Sequence, residues 1–243
     1  MKRALIVGGA NGIGLSIATE LVHRSDVEKV YIVDKAMVSD EFMQPKFECF
    51  QFDLTSEDYS LFDHFGEIDT LMITAGFGRL ALFKDIDENM IKTSFNVNTI
   101  PVMRILKRFY SKLEAKEDFY CGVMVSIAGF MCSPFFSVYA ATKAALKVFI
   151  ESVNVELLKA GSTNQILNVS PGSLKGTSFS NGKTDLSVTA PMAQAIIAEL
   201  EKKSDLFIPQ YDEVFKHVLE RYQADFRKEG AHSYDYKVES GRI

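Results

Sequence analysis

The sequence predicts an α/β fold in which helices cover both faces of one parallel β-sheet. Short runs rich in β-branched residues alternate with longer segments of helical periodicity, which is the pattern of repeated βαβ units. Most of the short runs are almost continuously apolar, as expected for strands that are buried on both faces. No linker, repeat or charge block divides the 243 residues, so we expect residues 1–243 to form one doubly wound domain.

About seven strands and six helices are expected along the chain. The predicted strands are Arg3–Val7, Lys29–Val33, Lys46–Phe52, Thr70–Thr74, Gly122–Ser126, Gln165–Val169 and Leu206–Ile208. The predicted helices are Gly12–Arg24, Ser56–Phe65, Asp87–Leu113, Ser137–Lys159, Met192–Lys203 and Tyr211–Lys228. The segment Gly172–Pro191 is polar and without strong periodicity, so a long binding loop is predicted there. The segment Glu229–Ile243 is predicted to be a polar tail, either disordered or docked on a partner subunit.

The first strand leads directly into a glycine-rich turn, Gly8-Gly9-Ala10-Asn11-Gly12-Ile13-Gly14, which opens the first helix. Glycines permit a tight turn and let the backbone approach a pyrophosphate closely, while the helix N-terminus faces its negative charge. Such turns also occur for packing reasons, so the spacing alone does not decide the ligand. The predicted cofactor contacts in this turn are Gly8, Asn11, Gly12, Ile13 and Gly14.

An acidic residue, Asp34, stands at the end of the second strand, 20 residues after Gly14. A carboxylate at that place can accept hydrogen bonds from the ribose of a dinucleotide and would repel a 2′-phosphate, which favours NAD over NADP. Lys35 follows immediately and could supply a compensating charge, so NADP stays open. An ordinary strand-end turn residue is the alternative interpretation of Asp34.

The third and fourth strands are followed by short motifs of the same kind. Asp53-Leu54 comes after the third strand, and Ala75-Gly76 comes after the fourth. Ligands of open α/β sheets bind at the carboxyl ends of the strands. Both motifs are therefore predicted to contact the cofactor.

A second group of polar residues begins at the end of the fifth strand. Ser126 is a polar residue in an apolar run, and the loop after it can bring its hydroxyl close to Tyr139. Tyr139 and Lys143 are four residues apart in a predicted helix, so their side chains share one face. The same spacing occurs at Tyr31 and Lys35, so the pair alone is a weak signal.

These side chains suit proton-coupled hydride transfer at a carbonyl. Reduction of a carbonyl by a nicotinamide needs a hydride at carbon and a proton at oxygen, and a phenol with a pKa of about 10 is poorly matched to neutral pH. A neighbouring ammonium favours the phenolate. We therefore expect Lys143 to lower the pKa of Tyr139.

Composition narrows the function further. The net charge of −5 argues against a nucleic-acid partner or an anionic membrane surface. The chain has no signal-peptide run and no apolar stretch near the ~18 residues that a membrane span needs. Three cysteines and four histidines lack metal-ligand spacing. We therefore expect a cytoplasmic protein with no metal, no nucleic acid and no membrane.

The motifs together resemble those of the short-chain dehydrogenase/reductase family, over a stretch from about Arg3 to Gly172. The resemblance implies a Rossmann-like doubly wound sheet and NAD(P)(H)-dependent interconversion of a secondary alcohol and a ketone. The matching residues are Gly8-x-x-x-Gly12-x-Gly14, Asp53-Leu54, Ala75-Gly76, Asn98, Ser126, Tyr139-x-x-x-Lys143 and Pro171-Gly172.

The resemblance also implies a role for each residue at the chemical end. Tyr139 would be the general acid/base, and Ser126 would hold the substrate oxygen. Lys143 would bind the nicotinamide ribose and tune Tyr139, while Asn98 would anchor a water near Lys143. Pro171-Gly172 would flank the nicotinamide, and the loop that begins at Gly172 would cover the substrate.

Assembly into a homodimer or homotetramer is a further implication, through the predicted helices Asp87–Leu113 and Ser137–Lys159. One departure from the family pattern is Thr74, which replaces the usual asparagine before Ala75-Gly76 and is expected to weaken a contact between strands. The C-terminus also lacks the common Asp-Gly-Gly ending, so the resemblance is a weaker guide to substrate type and assembly there.

The substrate and the function class leave alternatives open. The apolar run Phe130–Phe136, with Phe77 and Phe179, suggests a hydrophobic alcohol or ketone, although these side chains could equally be ordinary packing. A non-catalytic dinucleotide sensor or scaffold of the same fold is the main rival function. A methyltransferase-like nucleotide binder would explain the glycine turn but not Tyr139 and Lys143.

Overall fold

The computed structural model describes residues 1–177 and 183–241. Phe179, part of the predicted loop and the end of the predicted tail lie outside the described residues. The strands are β1 (Arg3–Val7), β2 (Lys29–Asp34), β3 (Phe47–Gln51), β4 (Thr70–Ile73), β5 (Tyr120–Met124), β6 (Ile166–Val169) and β7 (Leu206–Phe207). They form a seven-stranded parallel sheet in the order β3-β2-β1-β4-β5-β6-β7, which confirms the predicted architecture.

Helices connect the strands on both sides of the sheet. The α-helices of the described ranges are α1 (Gly12–Val22), α2 (Glu88–Asn98), α3 (Ile100–Arg108), α4 (Tyr110–Glu114), α5 (Ser137–Lys159), α6 (Leu186–Glu201), α7 (Lys216–Ala224) and α8 (Phe226–Glu239).

Each face of the sheet has its own hydrophobic core. Leu5 and Val7 of β1 lie in a cluster that includes buried residues of α3 and α5. Ala4 and Ile6 alternate with them and lie in a second cluster with residues of α1 and α6. Successive side chains of a strand point to opposite faces, so a strand covered on both sides needs apolar residues at every position.

The strand order reverses next to β1, which pairs with β2 on one side and β4 on the other. Val7, the last residue of β1, is opposite both Val33 and Ile73. Ligands of open α/β sheets bind in the crevice outside the carboxyl ends of the strands at such a switch point. The register therefore places the glycine turn after Val7 beside the residues that follow β2 and β4.

The single helix predicted over Asp87–Leu113 is three shorter helices, α2, α3 and α4. The chain leaves helical geometry at Thr99, with φ −122° and ψ −62°, and Pro101 lies in the first turn of α3. Proline has no N–H group and its ring clashes with the preceding turn, so one helix cannot run unbroken through this point.

The helix predicted over Ser56–Phe65 is only a 3₁₀ segment, Ser60–Phe65. The Asp58 carboxylate accepts hydrogen bonds from the backbone N–H of Ser60 at 2.8 Å and from its hydroxyl at 3.0 Å. Local side-chain bonds of this kind compete with helical hydrogen bonds. They hold the first residues of the segment in a turn.

The predicted loop Gly172–Pro191 ends earlier than expected, because α6 begins at Leu186. Asp185 caps this helix, and its carboxylate accepts a hydrogen bond from the backbone N–H of Ser187 at 3.0 Å. Pro191 therefore lies inside α6 and does not mark its start. The cap outweighs the proline as a boundary signal here.

The prediction of a polar tail over Glu229–Ile243 is wrong for its described part. The helix expected over Tyr211–Lys228 is a π-helical turn, Tyr211–Phe215, followed by α7, and the chain turns at Asp225 into α8. Asp225 caps α8 by accepting hydrogen bonds from two backbone N–H groups at 3.0 Å. Arg221 of α7 forms two hydrogen bonds with Glu229, which joins the two helices.

Candidate active site

The glycine-rich turn is held tightly between the ends of β1 and β4. Gly8 has φ +87°, and a Cβ atom built on it would lie 2.4 Å from the backbone nitrogen of Ala75. A Cβ atom on Gly14 would lie 2.2 Å from the carbonyl oxygen of Gly8, so both positions require glycine. The Thr74 hydroxyl donates a hydrogen bond to the Gly8 carbonyl at 2.8 Å. Thr74 thus provides a strand-to-strand link at the place where a weakened contact was expected.

The N-terminus of α1 has the character of an anion site. Gly12 donates its backbone N–H to Oγ1 of Thr184 at 2.9 Å, and the first turn of the helix holds no acidic residue. Asn11 is exposed at the cap, while the Ile13 side chain is buried in the core and leaves its backbone facing the turn. Helix N-termini in general suit anions such as a pyrophosphate, although here the Gly12 N–H is bonded to Thr184.

Thr184 is absent from the predicted set of site residues. It is separated from Gly12 by 172 positions and lies in the segment that leads to α6. A lone threonine in a Ser/Thr-rich stretch carries no signal of its own, so only the fold reveals the contact.

Asp34 lies where the sequence predicts it, beside the glycine turn. One carboxylate oxygen accepts a hydrogen bond from the backbone N–H of Ala10 at 3.0 Å, and the other accepts one from Ala36 at 3.1 Å. A carboxylate oxygen can accept more than one hydrogen bond. Asp34 therefore orders the turn and still has acceptor capacity for a ribose hydroxyl.

Asp53 forms an ion pair with Lys35, at 2.9 Å between Oδ2 and Nζ. This bond and those from the backbone and hydroxyl of Thr55 lower the pKa of Asp53 to about 2. The next residue, Leu54, packs against the core and its carbonyl accepts a hydrogen bond from the Tyr59 hydroxyl at 2.6 Å. Lys35 is thus paired with an acid just beyond the ends of β2 and β3.

Asn98 and Lys143 converge on Gly76. The Asn98 amide exchanges two hydrogen bonds with the backbone of Phe77, at 2.9 and 2.8 Å, and is fully buried. A Cβ atom on Gly76 would lie 3.3 Å from Oδ1 of Asn98 and 3.4 Å from Nζ of Lys143. The buried Lys143 donates to the carbonyl of Met124 at 2.8 Å, and burial lowers its pKa to about 7.

Tyr139 is hydrogen-bonded to Ser126. Burial raises the pKa of the phenol to about 12, and the bond to Ser126 lowers it only in part. Lys143 does not lower the pKa of Tyr139 as expected. Its side-chain nitrogen is bonded to Met124 and lies 5.7 Å from the centroid of the tyrosine ring. The phenol is therefore protonated at neutral pH.

Pro171-Gly172 lies at the end of β6, directly beside the turn that follows Ser126. The carbonyl of Pro171 accepts a hydrogen bond from the backbone N–H of Ile127 at 3.1 Å. A Cβ atom on Gly172 would lie 2.8 Å from Cζ of Phe215, a residue of the π-helical turn. The sequence does not reveal this contact of Phe215 with a predicted site residue, because an ordinary aromatic residue far along the chain carries no motif.

The predicted residues thus form two groups along the carboxyl edge of the sheet. The glycine turn, Asp34 and Asp53 follow β1 to β3, while Asn98, Lys143, the Tyr139–Ser126 pair and Pro171-Gly172 gather beyond β4 to β6. Within residues 1–177 and 183–241, no three His, Cys, Asp or Glu side chains are placed to hold a metal ion. None of the helices described is both long and apolar enough to cross a membrane.

Comparisons with curated proteins agree on one family. A family model described as short chain dehydrogenase matches residues 2–186. Retinol dehydrogenase 8 of Bos taurus is 26% identical over 233 residues, which cover 89% of this chain and 73% of the bovine protein. Retinol dehydrogenase 8 of Homo sapiens is 27% identical over 172 residues, which cover 65% of this chain but only 55% of the human protein. 17-beta-hydroxysteroid dehydrogenase type 1 of Homo sapiens is 30% identical over 106 residues, 44% of this chain and 32% of that protein.

Solved structures share the fold over nearly the whole chain. A short-chain dehydrogenase from Streptomyces avermitilis superimposes with a TM-score of 0.75 at 20% identity, covering 96% of this chain and 97% of its own. One from Burkholderia cenocepacia J2315, solved in complex with NADP, gives a TM-score of 0.77 at 20% identity, covering 96% and 99%. Because the family model matches well over half of this chain, the chain belongs to the short-chain dehydrogenase/reductase family of oxidoreductases.

Proposed function

We propose that the protein uses Tyr139 as a general acid/base to interconvert a secondary alcohol and a ketone with NAD(P)(H). The observation that carries this proposal is the hydrogen bond between Tyr139 and Ser126, one helical turn from the buried Lys143, at the edge of the sheet that the glycine turn also occupies. Two hydroxyls this close together could each turn to donate a hydrogen bond to one carbonyl oxygen.

The dinucleotide would supply or accept the hydride, and the glycine turn with Asp34 would hold it. Ser126 would donate a hydrogen bond to the substrate oxygen and fix its position. Tyr139, protonated at neutral pH, would donate its proton to that oxygen as negative charge develops there. Lys143 would stand behind the phenol and bind the nicotinamide ribose, and Asn98 would hold the backbone beside it.

NAD is the proposed preferred cofactor. Asp34 places negative charge beside the turn, where it would repel a 2′-phosphate. Lys35, the residue after Asp34, is paired with Asp53. NADP is the dinucleotide bound in the Burkholderia structure, so both cofactors belong in the test.

A hydrophobic substrate fits the surroundings of the chemical end. Phe215 packs beside Gly172, and Phe136 lies with its ring centroid 5.4 Å from that of Tyr139. The names of two relatives, retinol dehydrogenase and 17-beta-hydroxysteroid dehydrogenase, denote enzymes of apolar alcohols. We therefore propose an apolar ring-containing or polyene alcohol and its carbonyl as the substrate class.

Self-association is proposed through α5, which exposes three large apolar side chains, Val148, Val155 and Leu158. Exposed apolar side chains along one helix are typical of a surface that a second subunit covers. Sedimentation velocity would detect a homodimer or homotetramer, and a purely monomeric profile would refute this part of the proposal. A cytoplasmic location is part of the same proposal, and fractionation of cells would test it.

The deciding experiment measures NADH and NADPH oxidation against a panel of ketones and aldehydes that includes retinal and a 17-keto steroid. Turnover that disappears in Tyr139→Phe supports the proposed chemistry. Binding of NADH without turnover of any panel member would favour the rival function, a dinucleotide sensor. Membership of the family argues against the methyltransferase-like alternative.

A further inference from the structure

The C-terminal helix α8 lies against the loop that joins Ser126 to Tyr139. A Cβ atom built on Gly230 would lie 2.9 Å from Sγ of Cys132, so the helix backbone approaches the loop as closely as glycine allows. The Cys132 thiol also contacts the carbonyl of Phe226 at 3.6 Å. The two segments are separated by 94 positions at this contact, and no part of the proposed chemistry explains it.

Lys237 forms the centre of this contact. Its side chain is buried, with 7% exposed, and its ammonium donates to the carbonyl of Pro134 at 2.8 Å, to the hydroxyl of Ser133 at 3.0 Å and to the hydroxyl of Ser233 at 3.3 Å. An ammonium has three donors, and these three acceptors lie within reach of them. Burial of a charged group is costly unless its hydrogen bonds are made. The bonds of Lys237 therefore fix the loop at Ser133 and Pro134.

The residue after Pro134 is held in a strained conformation. Phe135 has φ +68°, a left-handed value that costs free energy for a residue with a side chain. Its ring packs on that of Tyr234 in α8, with centroids 4.5 Å apart, and its carbonyl accepts a hydrogen bond from Ala81 at 2.9 Å. From one helix, Lys237 thus holds the residue before the strained one and Tyr234 packs on the ring of the strained residue itself.

This strained turn leads directly into the first turn of α5, which carries Tyr139. The carbonyl of Phe136 accepts a hydrogen bond from the backbone N–H of Ala140 at 2.7 Å. The centroid of the Phe136 ring lies 5.8 Å from Nζ of Lys237 and 5.4 Å from the ring centroid of Tyr139. A movement of Pro134 and Phe135 would therefore shift the start of α5 and, with it, the phenol relative to Ser126.

We propose that Lys237 is a positioning residue for Tyr139, acting through Pro134 and Phe135. The proposal rests on the proposed function, because it assigns a role within that reaction. In this proposal, α8 helps to set the geometry of the active site. Hydride transfer depends steeply on geometry, since a misplacement of about 1 Å can cost ~100-fold in rate.

The test compares Lys237→Met with Lys228→Met. Both replacements keep a straight helix-forming side chain in α8, but Lys228 is exposed and lies in the first turn of the helix, nine residues before Lys237. We expect kcat for the most rapidly reduced ketone of the panel to fall about 10- to 100-fold in Lys237→Met, with an unchanged Kd for NADH. Lys228→Met should match the wild type in both constants.

A second measurement does not depend on activity. Hydrogen–deuterium exchange of the amides of residues 133–140 should become faster in Lys237→Met, while exchange in the β-sheet and at the glycine turn stays the same. Faster exchange throughout the protein, with weaker NADH binding, would indicate a general stabilising role and overturn the proposal. Where Lys237→Met does not fold, Tyr234→Leu, at a partly exposed position, carries the same expectation for kcat and for exchange.

A double variant separates this proposal from the proposed function. If Lys237 acts through Tyr139, Lys237→Met should have no further effect on the residual rate of Tyr139→Phe. Near-normal turnover in Tyr139→Phe would refute the proposed chemistry itself. Loss of turnover in Tyr139→Phe, with Lys237→Met as active as Lys228→Met, would refute only the positioning role.

Discussion

The ammonium nitrogen of Lys35 lies 2.9 Å from a carboxylate oxygen of Asp53, and the pair joins the carboxyl ends of β2 and β3. Lys35 follows Asp34 directly, so it is the cation best placed to reach a phosphate on the adenosine ribose. Its ion pair with Asp53 competes with such a contact to the phosphate. The ion pair is largely exposed, so its effect on cofactor choice should be modest.

Asp53→Asn is expected to shift cofactor selectivity toward NADPH. The amide removes the negative charge that holds Lys35 but keeps a hydrogen-bond acceptor of the same shape. An exposed ion pair contributes about 1 kcal/mol at most, so the ratio of kcat/KM for NADPH to that for NADH should rise about two- to fivefold. Steady-state rates with both cofactors measure this ratio. The rise should be lost when Lys35→Met is added, and an unchanged ratio in Asp53→Asn alone would show that Lys35 has no part in cofactor choice.

Tyr139→Phe is expected to lower kcat by about 100- to 10,000-fold, because it removes the proton donor and leaves the ring in place. The Kd for NADH, measured by fluorescence, should stay unchanged, since the glycine turn and Asp34 are not altered. Tyr31→Phe is the matched control, because Tyr31 also precedes a lysine by four residues but packs against Phe65 beneath the sheet. Comparable losses in both variants would point to a structural effect of the lost hydroxyl.

The strands, and the placement of Ser126 and Lys143 close to Tyr139, could be predicted because each has a local signal. Buried parallel strands need apolar residues at every position, and this rule locates β1 to β6 closely. The C-terminal helix α8 has no such signal, since its contact with the loop depends on Lys237 and Tyr234, residue types that are usually exposed. Phe215 and Thr184 reach the site from distant parts of the chain, so only tertiary structure reveals them. The pKa of Tyr139 was predicted in the wrong direction, because sequence spacing shows neither the depth of burial nor where a lysine nitrogen points.

Phe215→Leu is expected to alter substrate binding more than catalysis. The phenyl ring packs beside Gly172, at the proposed nicotinamide position, and the shorter leucine would leave a gap there. We expect KM for an apolar ketone to rise about tenfold, as for the loss of roughly 1.4 kcal/mol of apolar contact, while kcat changes less. Phe226→Leu, at an exposed phenylalanine at the start of α8, is the control. A fall in kcat at constant KM would place Phe215 outside the substrate pocket.

Lys143→Met should stabilise the free protein while abolishing activity, and the stabilisation should depend on pH. Burial lowers the pKa of Lys143 from 10.5 to about 7, so between these values the unfolded chain binds more protons and stability rises with pH. The wild type therefore carries the full cost of the buried charge below about pH 7, and this cost fades as the pH approaches about 10. Each pKa unit corresponds to about 1.4 kcal/mol, and loss of the hydrogen bond to Met124 offsets about 1 kcal/mol of the gain. Urea unfolding across this range should show the stability advantage of the variant shrinking as the pH rises and vanishing or reversing slightly near pH 10, because the bond to Met124 stays lost. A difference that is constant with pH would mean that folding does not lower the pKa of Lys143.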